Sequence, residues 1–139
     1  MARGNKAHRD AFVSIPAETK EMLRYVIPAV QHMPKIDRVD GAGGVMRKAA
    51  WKIIEEFYIA YRCPEMRVVH IERMIGSVGV FVSALEIACL QGIMREEFKL
   101  NIAMRLERIE EGIMKWYNGT RQARANAPRE RGDPAATEK

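Results

Sequence analysis

Apolar positions recur along most of this chain at helical spacing. The richest stretch is residues 66–92, MRVVHIERMIGSVGVFVSALEIACLQG. Within it Val68, Ile71, Ile75, Val78, Val82, Leu85 and Cys89 are alternately three and four apart, the a/d seam of a heptad repeat. Val80, Phe81, Ala84 and Ile87 widen the apolar face, and a helix apolar around most of its circumference lies inside something. The stretch therefore predicts a central third helix. Gly76 and Gly79, with Ser83 on the same side, each weaken that helix by about 1 kcal/mol relative to alanine. Two explanations stand open: a close helix crossing within the chain, or a subunit interface on the small-residue stripe.

Three further helices flank it. Ser14 and Pro16 supply a capping residue and a first-turn proline, so the first helix is expected from about Pro16 to Met33, with Met22, Val26, Ala29 and Met33 as its stripe. Pro28 should kink it, and Pro34 ends it. Lys35 to Gly44 reads as a loop, because the run Asp40–Gly44 is turn chemistry in which glycines supply positive φ. It lacks the Lys-Ser/Thr of a phosphate-binding loop and follows no strand. The second helix runs from about Val45 to Tyr61 on the seam Met46, Ala50, Ile53, Phe57 and Ala60. Arg62-Cys63-Pro64 turns into the third helix and Gly92 closes it. The fourth runs from about Arg95 to Tyr117 on Ile102, Leu106, Ile109, Ile113 and Trp116, and Asn118-Gly119 is a stop signal. Four helices joined by short loops predict an all-α, up-down-up-down four-helix bundle over 16–118. Residues 1–15 and 119–139 are expected to be disordered tails, the first basic and the second rich in arginine.

The 139 residues suffice for one domain with a real core. The net charge of +5 is uneven. Residues 1–15 carry +2, residues 119–139 carry +2, and the bundle between them only +1. Flexible basic arms of this kind suit a polyanion. There is no apolar run after the polar opening MARGNKAHRD, so no secretory leader is expected. No eighteen consecutive apolar residues occur, so no membrane span is expected either. Cys63 in a turn and Cys89 on a seam read as free thiols of a cytoplasmic protein.

Candidate chemistry is sparse. Helical bundles house two-metal sites through Glu-x-x-His pairs on facing helices, and the chain has none. His8, His32 and His70 are scattered and read as surface or boundary residues, while the carboxylates fall on the wet sides of the helices. No zinc or haem spacing occurs. No catalytic site, cofactor or metal is expected, and the chain reads as a non-enzyme. On the second helix Arg47, Lys48 and Lys52 flank Trp51. A basic stripe beside an aromatic could contact nucleic acid, although a solvated charged face is the commoner case.

Several short runs carry a resemblance. They are Tyr25-Val26-Ile27-Pro28, then Met33-Pro34-Lys35, then Glu56-Phe57-Tyr58-Ile59-Ala60-Tyr61-Arg62, and finally Glu111-Gly112 before Trp116. Through these, and through its helix order, the chain from about Pro16 to Thr120 resembles a family of small four-helix-bundle proteins. That family includes the accessory variability determinant of diversity-generating retroelements and the proteins encoded in ribosomal RNA intervening sequences. The resemblance implies a homo-oligomeric ring, usually a homopentamer. For the retroelement members it implies binding to RNA and DNA and to a reverse transcriptase, in support of mutagenic cDNA synthesis. The chain departs from the family at Val82 and Glu86, where members carry arginines, and at Met114-Lys115, where a glycine pair precedes the tryptophan. In an accessory factor of that kind the phosphate contacts would come from Arg47, Lys48, Lys52, Arg67, Arg73, Arg121 and Arg124. The other reading is an oligomeric bundle of the same family with an unassigned protein-interaction role.

Overall fold

A computed structural model describes residues 2–127. The chain is all-α: among the described residues there are four long helices, two short helical segments and no strand. They are α1 (Ala2–Gln31), α2 (Lys35–Val39), α3 (Ala42–Arg62), a 3₁₀ turn (Pro64–Met66), α4 (Arg67–Leu90) and α5 (Glu96–Asn126). The long helices share one core. α1 packs on α3 and α5, and α4 packs on the same two, while among the described residues α1 and α4 are not backbone neighbours.

Two seams are filled as their spacing demands. Met46, Ala50, Ile53, Phe57 and Ala60 of α3 are fully buried, and Ile102, Leu106, Ile109, Ile113 and Trp116 of α5 are buried with them. From α1, Met22 and Val26 enter the core, joined by Leu23 and Val30, and Met33 follows them from the turn after the helix, whereas Ala29 stays at the core's edge. The α4 seam is rotated from the expected one. Ile71, Val78 and Leu85 are buried, but their companions are Met74, Phe81, Ala84 and Ala88, and Val82 is exposed. The cause is that α4 faces two neighbours, so its buried arc is centred between α3 and α5 rather than on one a/d line.

The helices are longer than their stop and start signals suggest. The segment 2–15, expected as a disordered tail, is helical and continuous with α1, and Ala11 and Ile15 are 1% exposed. At the other end α5 runs through Asn118-Gly119 to Asn126, and Gly119 is buried. α1 and α5 pack together, and the aromatic cluster around Trp116 receives His8 and Phe12. The first extension thus gains an apolar surface at Trp116 and Tyr61, whereas α5 beyond Thr120 is exposed. The expected disorder over residues 128–139 lies outside the described residues. α1 also runs through both Pro16 and Pro28, and Thr19 Oγ1 donates to the Ile15 carbonyl at 2.7 Å in the turn after Pro16.

The glycines divide by what surrounds them. Gly92 is the sole described residue with positive φ, at 74°. Its N–H donates to Cys89 O and the Ile93 N–H to Ala88 O, the paired bonds of a Schellman cap. The run expected as a loop is instead α2 followed by the start of α3, and its glycines provide closeness rather than positive φ. A Cβ on Gly44 would lie 2.2 Å from the Val39 carbonyl oxygen, and one on Gly43 would lie 2.5 Å from Met33 Sδ. Gly76 and Gly79 are the reverse. A Cβ on either meets nothing within 4 Å, so the close crossing within the chain is not their reason.

These surroundings set opposite outcomes for one substitution. Gly79→Ala should stabilise the fold by about 1 kcal/mol, through helix propensity alone. Gly44→Ala should destabilise it by about 1–3 kcal/mol, because α2 must move off α3. Urea unfolding of both variants checks this, and equal shifts of one sign would contradict it.

Candidate interaction surface

The outward face of α3 carries Arg47, Lys48, Trp51 and Lys52, four positions within a turn and a half. Trp51 is 52% exposed, Lys48 is exposed and Arg47 half-buried. Lys48 and Lys52 border a groove of about 300 Å³ shared with Val45, Ala49, Ser77 and Val80. Through Val45 and Val80 this groove continues into an apolar one of about 570 Å³, where Ala42 faces Gly76, Gly79, Ser83 and Ile87 of α4. The α3–α4 face therefore has a cationic end and an apolar end.

The other expected cations are not gathered there. Arg73 is exposed on α4, without an ion-pair partner among the described residues. Arg67 turns inward: its Nε donates to Ala60 O at 2.8 Å and its Nη2 to Tyr61 O at 2.9 Å. It thus satisfies the last carbonyls of α3, where the helix dipole favours a cation, and its guanidinium lies 5.9 Å from the Trp116 ring centroid. That role removes Arg67 from a phosphate-binding set. Arg121 sits on α5 beside Tyr117, whose hydroxyl accepts from Arg121 Nη1 at 3.2 Å and donates to Glu72 Oε2 at 2.8 Å. Arg124 lies in the last turn of α5, exposed. Lys52 is within 3.6 Å of Glu55 and 3.8 Å of Glu56, which offsets part of its charge. Arg47, Lys48 and Trp51, with the partly offset Lys52, remain the cationic end.

Two polar features were not anticipated. Glu56 is 2% exposed and His70 is 7% exposed, and the two are hydrogen-bonded to each other between α3 and α4. This corrects the expectation that every carboxylate lies on a wet side and every histidine at a boundary. The signal was present: Glu56 is three residues after Ile53 and four before Ala60, on the buried face of α3. Removing one partner would leave a buried polar group without this hydrogen bond, so the pair favours the observed register of α4 against α3. The second feature is His8, stacked on Tyr61 at 4.6 Å and 4°, and packed against Trp116 at 5.7 Å. Buried His8 Nδ1 and Trp116 Nε1 have no hydrogen-bond partner.

Among the described residues no three His, Cys, Asp or Glu side chains are grouped as metal ligands would be. Cys63 is exposed, and burial, with Glu96 nearby, pushes the Cys89 thiol above its ordinary range. α4, counted from Pro64 to Leu90, is long and apolar enough by length and composition to cross a membrane, and 33% of its apolar window is buried in this chain. Comparison with models of protein families, with curated proteins and with solved structures returns no match.

Burial, and then the nearby Arg67 charge, push the His8 imidazole below its ordinary value of 6.5. The unfolded chain therefore binds a proton in a range where the folded chain does not. The stability from neutral His8 is full above pH 6.5 and is lost as pH falls from there toward the folded value. A His8→Phe variant should show a flatter fall in stability on acidification below that point. Urea midpoints across this range check it, and an unchanged slope would contradict it.

Proposed function

We propose that this protein is a non-catalytic accessory factor that self-associates through α4 and offers the Trp51 face of α3 to nucleic acid. The observation that carries the nucleic-acid part is the half-exposed Trp51 set among Arg47, Lys48 and Lys52. An exposed aromatic among cations suits a polyanion whose bases can stack, since stacking tolerates any base and the cations track phosphates. The neighbour order of the helices, α1–α3–α4–α5 and back to α1, suits the up-down-up-down bundle of the resembled family. In that setting the specific role is support of a diversity-generating retroelement: binding template RNA or DNA and contacting the reverse transcriptase. Arg121 and Arg124, at the far end of α5, would then extend the contact. Five subunits rest on the resemblance alone.

A purely structural oligomer is the second reading. Its support is that Arg67 and Lys52 are engaged within the chain, while α4 keeps an uncovered apolar face.

Binding to structured RNA and duplex DNA at two salt concentrations separates the two. The accessory factor should bind with little sequence preference, and its affinity should fall steeply with salt. On duplex DNA a Lys48→Glu, Lys52→Glu variant should lose affinity and show a slope shallower by roughly 0.9 for each phosphate contact removed. Trp51→Ala should weaken single-stranded more than duplex binding. No binding at low salt, or binding untouched by these changes, would leave only the structural oligomer.

A further inference from the structure

α4 carries two heptad stripes on opposite sides. The inward one, Ile71, Met74, Val78, Phe81, Leu85 and Ala88, is buried against α3 and α5. The outward one is Val69, Arg73, Gly76, Val80, Ser83, Ile87 and Leu90, spaced alternately four and three throughout. Its large members are open to solvent: Val69 at 40%, Val80 at 51%, Ile87 at 47% and Leu90 at 87% exposed. A heptad is the repeat by which one helix meets another. Arg73, with Glu72 and Glu86 beside the stripe, makes a hydrocarbon interior an expensive alternative.

The stripe's positions, though not its residues, are symmetric about Val78, as alternating four-three spacing is about such a point. Gly76 and Val80 lie equally far on either side of it, and so do Arg73 and Ser83, Val69 and Ile87, and Met66 and Leu90. Met66 is itself 46% exposed. We infer that the occupant of this face is a second copy of the chain, with the two α4 helices antiparallel across a two-fold axis at the level of Val78.

That register sets Val69 against the partner's Ile87 and Leu90 against the partner's Met66. Gly76 receives the partner's Val80, in space that the single chain leaves open. Arg73 comes opposite the partner's Ser83, about 4.5 Å along the axis from the partner's Glu86, and the symmetry repeats that opposite-charge contact. Neither Arg73 nor Glu86 has an ion-pair partner within its own chain among the described residues. A parallel pairing would instead bring Arg73 against the partner's Arg73. A two-fold contact is self-complementary and closes on itself. The inference rests on the self-association proposed above, but not on five subunits, and it assigns Arg73 to the partner's carboxylate rather than to phosphate.

Sedimentation velocity of the full chain at micromolar concentration tests it. The wild type should sediment at twice the chain's 15.9 kDa. A Val80→Lys, Ile87→Lys variant should be a helical monomer by circular dichroism and mass, since both side chains are exposed in the isolated chain. Arg73→Glu and Glu86→Arg alone should each weaken the dimer roughly tenfold, and the two together should restore it. An assembly of five that survives Val80→Lys, Ile87→Lys would overturn the α4 pairing while leaving self-association standing. A wild-type monomer would overturn both, and a monomer that partitions onto phosphatidylcholine vesicles would assign the face to lipid. Single charge reversals without effect, or no rescue in the double variant, would overturn the antiparallel register.

Discussion

A carboxylate removed from water needs hydrogen-bond partners, and Glu56 finds the His70 ring on α4, with Lys52 Nζ 3.8 Å from its other oxygen. Apolar packing alone would let α4 slide along α3 by a turn at modest cost, because cores tolerate rearranged hydrophobic contacts better than unpaired charge. The buried Glu56–His70 hydrogen bond favours one register. In that register Arg67 reaches the end of α3 and closes its last carbonyls, and Phe81 and Met74 enter the core. The same register lays Gly76, Gly79 and Val80 beside Ala42 and Val45. The continuous groove, cationic near Lys48 and apolar near Ile87, follows from where that one contact stops the slide.

Much of this fold was legible because two helices obey a single period. α3 and α5 each bury one narrow stripe, and the three-four spacing of Met46 to Ala60 and Ile102 to Trp116 names its members directly. α4 was half legible. Seven positions at heptad spacing mark a helix correctly, but a helix held by two neighbours buries an arc wider than any a/d line, so Phe81 and Ala88 replaced Val82 and Cys89. The polar opening of the chain and Asn118-Gly119 were misleading for a different reason. Local composition and stop signals weigh about 1 kcal/mol or less per residue, and a partner surface contributed by the opposite end of the chain outweighs them. Nothing near Ala11 in sequence announces Trp116.

The candidate surface was less legible than the fold, for electrostatic reasons. A list of cations does not say which are already neutralised. Arg67 and Lys52 sit in basic runs, yet one is bound to backbone carbonyls and the other lies between two glutamates. Glu56 hid because Glu55 precedes it, and a pair of adjacent acids reads as solvated. On a helix, neighbours in sequence point about 100° apart, so one of two adjacent acids can be wet and the other buried.

What remains is why α4 should be apolar on both sides. A helix serving only its own bundle needs one apolar arc, and the rest is free to carry charge, as α5 does with Glu107, Arg108, Glu110 and Glu111. α4 instead keeps valine, isoleucine and leucine outward and reserves two glycines for a place where nothing in the chain requires them. Each of those glycines weakens the helix by about 1 kcal/mol, a loss that packing within the chain does not recover. The proposed pairing of α4 with a second copy would supply the compensation, since closely approaching backbones are the contact that glycine uniquely permits. The cationic strip on α3 borders that same face. Pairing α4 helices would bring two such strips onto one assembly, and phosphate binding would then draw on the summed field of both chains.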